Sequence, residues 1–258
     1  MRPSELTKPM RWQIADRLRE ERLDEVNAAC VPVQYHETFY TRYGKRFLDI
    51  LIALCCVLVT LPINLIIATI TFFDVGRPIF FRQQRVGKDE KLFTIYKFRN
   101  MTTETDAEGN LLPPSQRTTK FGHLMRKTSL DELLNFWSIL KGDMSVIGPR
   151  PLVPEYLPRY SNRHRMRFCV RPGLECPPHA KGQSVDTWQE RFENDVWYVE
   201  HISFLTDCKL CFQLVALMLD RKHNAIRADV TRVAFMGYSE DGRAIDIDEI
   251  PPKYLEQY

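Results

Sequence analysis

The sequence predicts an α/β protein: a small, mostly helical domain with one short β-hairpin, held to a membrane by an N-terminal helix broken near its middle. Three observations carry this expectation. One long apolar run occupies residues 47–73 and is interrupted by Pro62. Two short β-branched and aromatic segments, 79–81 and 92–96, are joined by Gly87-Lys88-Asp89, a hairpin pattern. Apolar residues recur at helical spacing in 133–140, 188–198 and 204–219.

Composition narrows the classes. A net charge of +3 over 258 residues is too small to argue for nucleic acid as a partner. Seven cysteines without regular spacing, and no cleavable leader, point to a reducing cytosol. Cys208 and Cys211 form a lone CxxC inside an apolar helical pattern, which reads as core packing rather than zinc or redox chemistry. The chain divides into a polar N-terminal extension (1–40), a membrane helix (41–76), a cytoplasmic folded domain (77–222) and a polar, acidic C-terminal tail (223–258).

Taken in order, residues 12–29 predict a helix on which Arg17, Arg19 and Arg22 alternate with Asp and Glu, so a solvated one; Pro32 breaks what precedes it. The 27-residue run 47–73 would be about 40 Å long as a straight helix, enough to cross a bilayer. Two of its features favour entry and return through the same leaflet. Pro62 leaves the Leu58 carbonyl without its usual partner, so each half is too short to span, and Asn64 can assist the break. Cations flank both ends, Arg42, Lys45 and Arg46 before and Arg77, Arg82, Arg85 and Lys88 after, whereas a spanning helix carries its excess on one side. Asp49, costly in lipid, is within reach of Lys45 or Arg46.

After the hairpin, Lys97 and Arg99 alternate about Phe98, so both can point to one face. Residues 102–116 read as a surface loop, and His123 as an ordinary surface residue. The stretch 155–168 is basic, with Arg159, Arg163, Arg165 and Arg167, and suits either anionic headgroups or a solvated helix face. Past Arg221 the chain turns polar and acidic and reads as extended or partly disordered.

The chemistry concentrates in 124–151, LMRKTSLDELLNFWSILKGDMSVIGPRP. Ser129 reads as a helix N-cap, with Glu132 three positions on completing a capping box. Asp131 and Glu132 then lie in the first turn, Leu133, Leu134, Trp137 and Leu140 form the apolar face, and Gly142 ends the helix. Arg126 precedes the acidic pair and Arg150 sits in the rigid turn 148–151. Two adjacent carboxylates near arginines and a helix N-terminus suit a magnesium ion and a phosphate-bearing substrate. They equally suit two residues that merely complement a helix dipole, and spacing alone leaves both open.

This motif, SLDELLNFWSILKGDMSVIGPRP, closely resembles the core of the bacterial sugar transferases known as monotopic phosphoglycosyl transferases. The resemblance extends through KRFLDI (45–50), PIFFRQQRVG (78–87), KLFTIYKFRNM (91–101), LLPPSQRTTKFGHLMRKTSLDEL (111–133), RPGL (171–174) and the W-x-x-x-F-x-x-D-x-x-Y pattern of Trp188, Phe192, Asp195 and Tyr198. It covers roughly 42–222. Departures are Leu61, where Ser commonly precedes the proline, and residues 175–183, where Glu175, His179 and Gln183 replace a small hydroxyl residue, Gln and Arg.

The resemblance implies a monotopic fold with a re-entrant helix and both chain ends cytoplasmic, at the bacterial inner membrane. It implies transfer of a sugar 1-phosphate from a nucleotide diphosphosugar, UDP-linked by expectation, to polyprenyl (undecaprenyl) phosphate, and a need for Mg2+. In that picture Asp131 is the nucleophile and metal contact, and Glu132 the supporting carboxylate. Arg126, Arg150, Lys97, Arg99 and Arg171 face the substrate phosphates, and Lys45, Arg46, Asp49 and Pro62 set the membrane segment. A homodimer is compatible with it. Two rival readings stay open: a non-catalytic membrane scaffold that retains the fold and recruits polysaccharide-assembly partners, and a glycosyltransferase making glycosidic bonds, for which no separate nucleotide-binding domain is visible.

Overall fold

The computed structural model describes residues 6–180, 183, 185–219 and 233–256. Its first helix, α1 (Lys8–Ala29), is rich in Ala, Arg, Glu and Leu and has a proline in its first turn. It is longer than expected and not simply solvated. Ile14, Ala15 and Leu18 make one fully buried face, while the charges occupy the other.

A five-residue π turn, Tyr40–Gly44, leads into α2 (Lys45–Val75), which Gly76 ends at φ 71°. The helix is about 46 Å long by its rise per residue. Pro62 lies inside it, with helix on both sides. Asn64 does not serve the carbonyl that Pro62 frees; its Nδ2 donates to Thr60 Oγ1 at 3.4 Å, one turn back. Lys45, Asp49, Ala53, Val57, Asn64, Ile67 and Thr71 are its buried residues, and their spacing makes a single stripe down one face. Near the start of that stripe Ala53 enters the main core with Ile139, Tyr198 and Leu210. Near its end Ile67 packs with Phe98 and Met125. The opposite face is apolar and bare, Val59 being 71% and Phe73 80% exposed.

Asp49 is not paired as expected. Its Oδ1 accepts from Ser145 Oγ (2.9 Å) and from the Val146 amide (3.0 Å), while Lys45 reaches Asp207 at 2.8 Å and Arg46 donates to the Ile139 and Leu140 carbonyls. Partners distant in sequence replace the one-turn ion pair, because this face of the helix lies against the folded domain.

Strands β1 (Phe80–Val86) and β2 (Leu92–Phe98) form the expected antiparallel hairpin, in register from Phe80 opposite Phe98 to Val86 opposite Leu92. A short α3 (Pro114–Arg117) precedes α4 (Lys120–Thr128), α5 (Asn135–Lys141) and β3 (Ser145–Ile147). A turn of helix α6 (Asn162–Arg165) leads to β4 (Gly173–Glu175), which runs parallel to β3. There a Cβ on Gly173 would stand 2.2 Å from the Gly148 nitrogen, so the crossing requires glycine. Helices α7 (Trp188–His201) and α8 (Phe204–Leu219) follow, α7 opened by a capping box of Thr187 and Glu190. Trp188, Phe192, Asp195 and Tyr198 all lie on its buried side.

The basic stretch takes neither expected role. Arg159 is buried against Asp16 and Trp12, Arg163 pairs with Glu193, Arg165 with Glu90 and Arg167 with buried Asp195 at 2.9 Å. Each of these cations pairs with a carboxylate, Arg159 and Arg167 in the interior and Arg165 at the surface. Cys208 and Cys211 are half-buried free thiols on α8.

The tail is likewise ordered where described. Strands β5 (Phe235–Tyr238) and β6 (Ala244–Asp246) pair antiparallel and bury Met236, Ile245, Ile247, Ile250 and Tyr254 with α1. Phe235 and Tyr238 join Tyr156, Tyr160, Trp188 and Phe192 in an aromatic cluster under α7. The two ends of the chain thus build one packed unit. Residues 220–232 lie outside the described residues.

Candidate active site

The acidic pair sits between two helices, not at the start of one. Ser129 takes the left-handed conformation (φ 56°) and ends α4, its amide bonded to the Arg126 and Met125 carbonyls. Leu130–Glu132 form one 3-10 turn, and α5 begins only at Asn135. The capping box therefore does not form. The Ser129 amide is already used, and the Glu132 carboxylate is drawn to two cations instead of back to the chain. The α5 face also differs: Asn135, Ser138 and Ile139 are buried, and Trp137 is about half exposed. Gly142 closes α5 as expected.

One oxygen of Glu132, Oε1, accepts from Lys97 Nζ and from Arg150 Nη2, each at 2.6 Å. Burial alone would raise its pKa, but Arg150 and Lys97 outweigh that and hold it well below the usual carboxylate range. Asp131 is the contrasting neighbour. It is 8% exposed, makes no ion pair among the described residues, and accepts from Asn100 Nδ2 at 3.3 Å. Burial, then the charge on Glu132, push its pKa up to about 6, against the smaller pull of Lys97 and Arg126. Two adjacent carboxylates thus have opposite electrostatic fates, a pattern of sites that assign them different work.

Asn100 links this centre to α4. Arg126 Nη2 donates to Asn100 Oδ1 at 3.2 Å, so Arg126 meets Asp131 through an amide. The close seat of α4 depends on Gly122, where a Cβ would lie 2.1 Å from the Asn100 carbonyl oxygen. Arg150 is further held by the Leu174 carbonyl (2.9 Å) and lies 3.6 Å from Glu175, while the Arg150 carbonyl accepts from buried Arg167 (2.7 Å). Glu175, Arg191 and Asn194 line a small cleft beside Arg150. His179 stacks on Trp197 at 4.2 Å and bonds Asn194.

Of the residues expected at the site, Asp131, Glu132, Lys97, Arg126 and Arg150 come together. Arg99 and Arg171 are not joined to the carboxylates. Arg99 Nη1 donates to the Arg77 carbonyl at 3.3 Å, and Arg171 Nε to the Gly142 carbonyl at 3.0 Å. Lys97 and Arg99 therefore serve different places despite their alternation, the strand ending at Phe98. Asn100, Glu175 and Arg191 were not singled out in the sequence as members of this site. Asn100 could have been, as the polar residue that closes the KLFTIYKFRNM segment.

Magnesium takes one or two carboxylates and fills its remaining positions with water and substrate phosphate oxygens. Asp131, unpaired and next to a second carboxylate, fits that donor set. No group of three His, Cys, Asp or Glu suited to a cage made wholly of side chains occurs among the described residues.

Residues 40–221 match the sequence model described as Bacterial sugar transferase. The chain is 43% identical over 166 residues to the uncharacterized sugar transferase EpsL of Bacillus subtilis (strain 168), covering 64% of this chain and 82% of that one. It is 32% identical over 198 residues to the UDP-galactose-lipid carrier transferase of Erwinia amylovora, covering 70% and 41%. It is 33% identical over 181 residues to the UDP-glucose:undecaprenyl-phosphate glucose-1-phosphate transferase of Klebsiella pneumoniae, covering 66% and 39%. It therefore spans most of EpsL and less than half of the other two. With the match running through α2, the acidic pair, Arg150 and α7, and over well more than half of its length, the chain belongs to the bacterial sugar transferase family.

Proposed function

We propose that the protein transfers a sugar 1-phosphate from a nucleotide diphosphosugar, UDP-linked as in the names of two relatives, to a polyprenyl phosphate such as undecaprenyl phosphate. The observation that carries this reading is the split pair: Glu132 clamped by two cations, and Asp131 buried and without an ion pair. An Asp131 oxygen attacks the sugar-bearing phosphorus. A new P–O bond forms as the bond to the other phosphate breaks, and a nucleoside monophosphate leaves with the electron pair. An oxygen of the lipid phosphate then attacks the same phosphorus, the aspartyl P–O bond breaks, and the Asp131 carboxylate is restored. No net proton is consumed.

Lys97 and Arg150, fixed by Glu132, present positive charge to the phosphates, and Arg126 holds Asn100 against the nucleophile. A magnesium ion held by Asp131 and the donor's phosphate oxygens would offset charge on the attacking and leaving groups. Glu175 lies against Arg150 without displacing Glu132, which favours catalysis over a scaffold role.

We further propose that α2 enters and leaves the cytoplasmic leaflet of the bacterial inner membrane on one side. Its single buried stripe, from Lys45 to Thr71, supports this, because both ends pack on the same folded domain. A helix crossing the bilayer would carry its two ends to opposite faces. The test of the chemistry is intact-protein mass spectrometry after incubation with UDP-sugar and magnesium without lipid. One sugar phosphate per chain and one equivalent of released UMP are expected. Turnover without any adduct would exclude the covalent route.

A further inference from the structure

Beside the end of α2 lies an open groove of about 1300 Å3, lined by Ala68, Thr69 and Phe72 of the helix and by Ile79, Phe80 and Phe81 entering the hairpin. Three arginines, Arg77, Arg82 and Arg99, stand in the same wall. Phe72, Phe80 and Phe81 are each more than a third exposed, so the floor is apolar surface in contact with solvent or lipid. Elsewhere in this fold arginines are consumed: Arg150, Arg163, Arg165 and Arg167 all pair with carboxylates. Among the described residues no carboxylate pairs with Arg77, Arg82 or Arg99. Their contacts are with rings and a carbonyl: Arg77 lies over Phe72, Arg82 over Tyr96, and Arg99 donates to the Arg77 carbonyl. Arg99 Nε is buried with no acceptor.

An apolar trough opening from a membrane helix, with three uncompensated guanidinium groups at its wall, is complementary to an amphiphile with an anionic head and a hydrocarbon chain. A nucleotide sugar could stack its base on one ring but has no hydrocarbon chain to cover the rest of the apolar floor. The groove is linked to the nucleophile through the chain. Arg99 is followed directly by Asn100, whose Nδ2 bonds Asp131.

We propose that this groove is the acceptor site. Arg77, Arg82 and Arg99 hold the phosphate of the polyprenyl phosphate, and Phe72, Phe80 and Phe81 seat its first isoprene units. The identity of the lipid rests on the transferase reading above; the existence of a site for a single-chain lipid phosphate does not.

The test uses the full chain in phosphatidylethanolamine nanodiscs, with a diazirine-bearing polyprenyl phosphate as photoprobe and no sugar donor. Cross-links are expected on peptides covering residues 68–82. Undecaprenyl phosphate should compete for them, and undecaprenol or phosphatidylglycerol at equal mole fraction should not. Arg77→Gln with Arg82→Gln should lower labelling about tenfold or more and raise the acceptor KM by a similar factor, each lost charge-assisted contact weakening binding several-fold. The donor KM should move much less. Arg82→Lys should recover most of the labelling, which a folding defect would not allow.

Labelling spread over other peptides, or an unchanged acceptor KM in the double variant, overturns the assignment. Equal competition by phosphatidylglycerol also overturns it, since the groove would then be a seat for bulk anionic lipid. Specific labelling of a wild-type protein that transfers no sugar from any donor would keep the site and remove the transferase reading. Transfer with labelling elsewhere would do the reverse.

Discussion

Asp131 is the proposed nucleophile, and its environment makes that role testable. A nucleophilic carboxylate works only when ionised. With a pKa raised to about 6, the rate of UMP release in a single turnover should climb about tenfold per pH unit below 6 and level off above it. The same shift has a stability consequence of definite sign. A carboxyl whose folded pKa exceeds its unfolded value binds protons more tightly when folded, so the fold loses stability as pH rises from about 4 to about 6. Asp131→Asn removes that cost: thermal unfolding at pH 8 should show a Tm several degrees above wild type, about 2–3 kcal/mol at most, while the adduct and turnover vanish. A normally active Asp131→Asn enzyme would leave Asp131 no role beyond structure. Glu132→Gln removes the neighbouring negative charge and releases Lys97 and Arg150, so the acidic limb should move below pH 6 even as the rate falls severely. Sequence reasoning found both carboxylates but expected them in a capped helix. It could not see that Lys97, 35 residues away, would compete for Glu132.

At the scale of elements, the proposed re-entry of α2 is open to direct test. Cysteine labelling at positions 43 and 82, in a cysteine-free background, should find both on the cytoplasmic side. Pro62→Ala, which restores a backbone donor, should send a fraction of molecules into a spanning form with position 82 outside. Labels on opposite faces in the wild type would mean a plain transmembrane helix. The base of α2 is held by Lys45, Asp207, Tyr40 and Tyr198, with Lys45 and Asp207 2.8 Å apart and both nearly buried. Lys45→Met leaves a buried carboxylate without its cation and should cost about 3 kcal/mol, read as a lower unfolding midpoint in detergent. The apolar run announced this helix plainly. Its long-range partners were not legible, since a carboxylate at 49 looks equally able to pair with a lysine one turn back and with a strand 97 residues on.

At the scale of the whole molecule, the two ends of the chain meet. Residues 1–39 and 222–258 lie outside the family match, yet α1, β5 and β6 share a buried cluster that leans on α7 through Phe235, Tyr156 and Trp188. Leu18→Ala should cost about 2–4 kcal/mol, as for a fully buried leucine. Limited proteolysis should then release the segment 233–256 faster than in wild type; equal rates would mean that the two ends are stable independently.

The sequence by itself determined the long apolar helix, the hairpin, the acidic pair with Arg126 and Arg150, and the buried series Trp188, Phe192, Asp195 and Tyr198. These are local patterns: an apolar run, a period, a motif. Tertiary structure alone decided that Arg159, Arg163, Arg165 and Arg167 each find a carboxylate, Arg159 and Arg167 in the interior, that Arg99 and Arg171 leave the carboxylates, and that an acidic tail folds against a charged helix. In each case the outcome depends on which distant group supplies the opposite charge or the matching apolar face. Charge and hydropathy along a chain say what a residue needs. They do not say which residue, a hundred positions away, will meet that need.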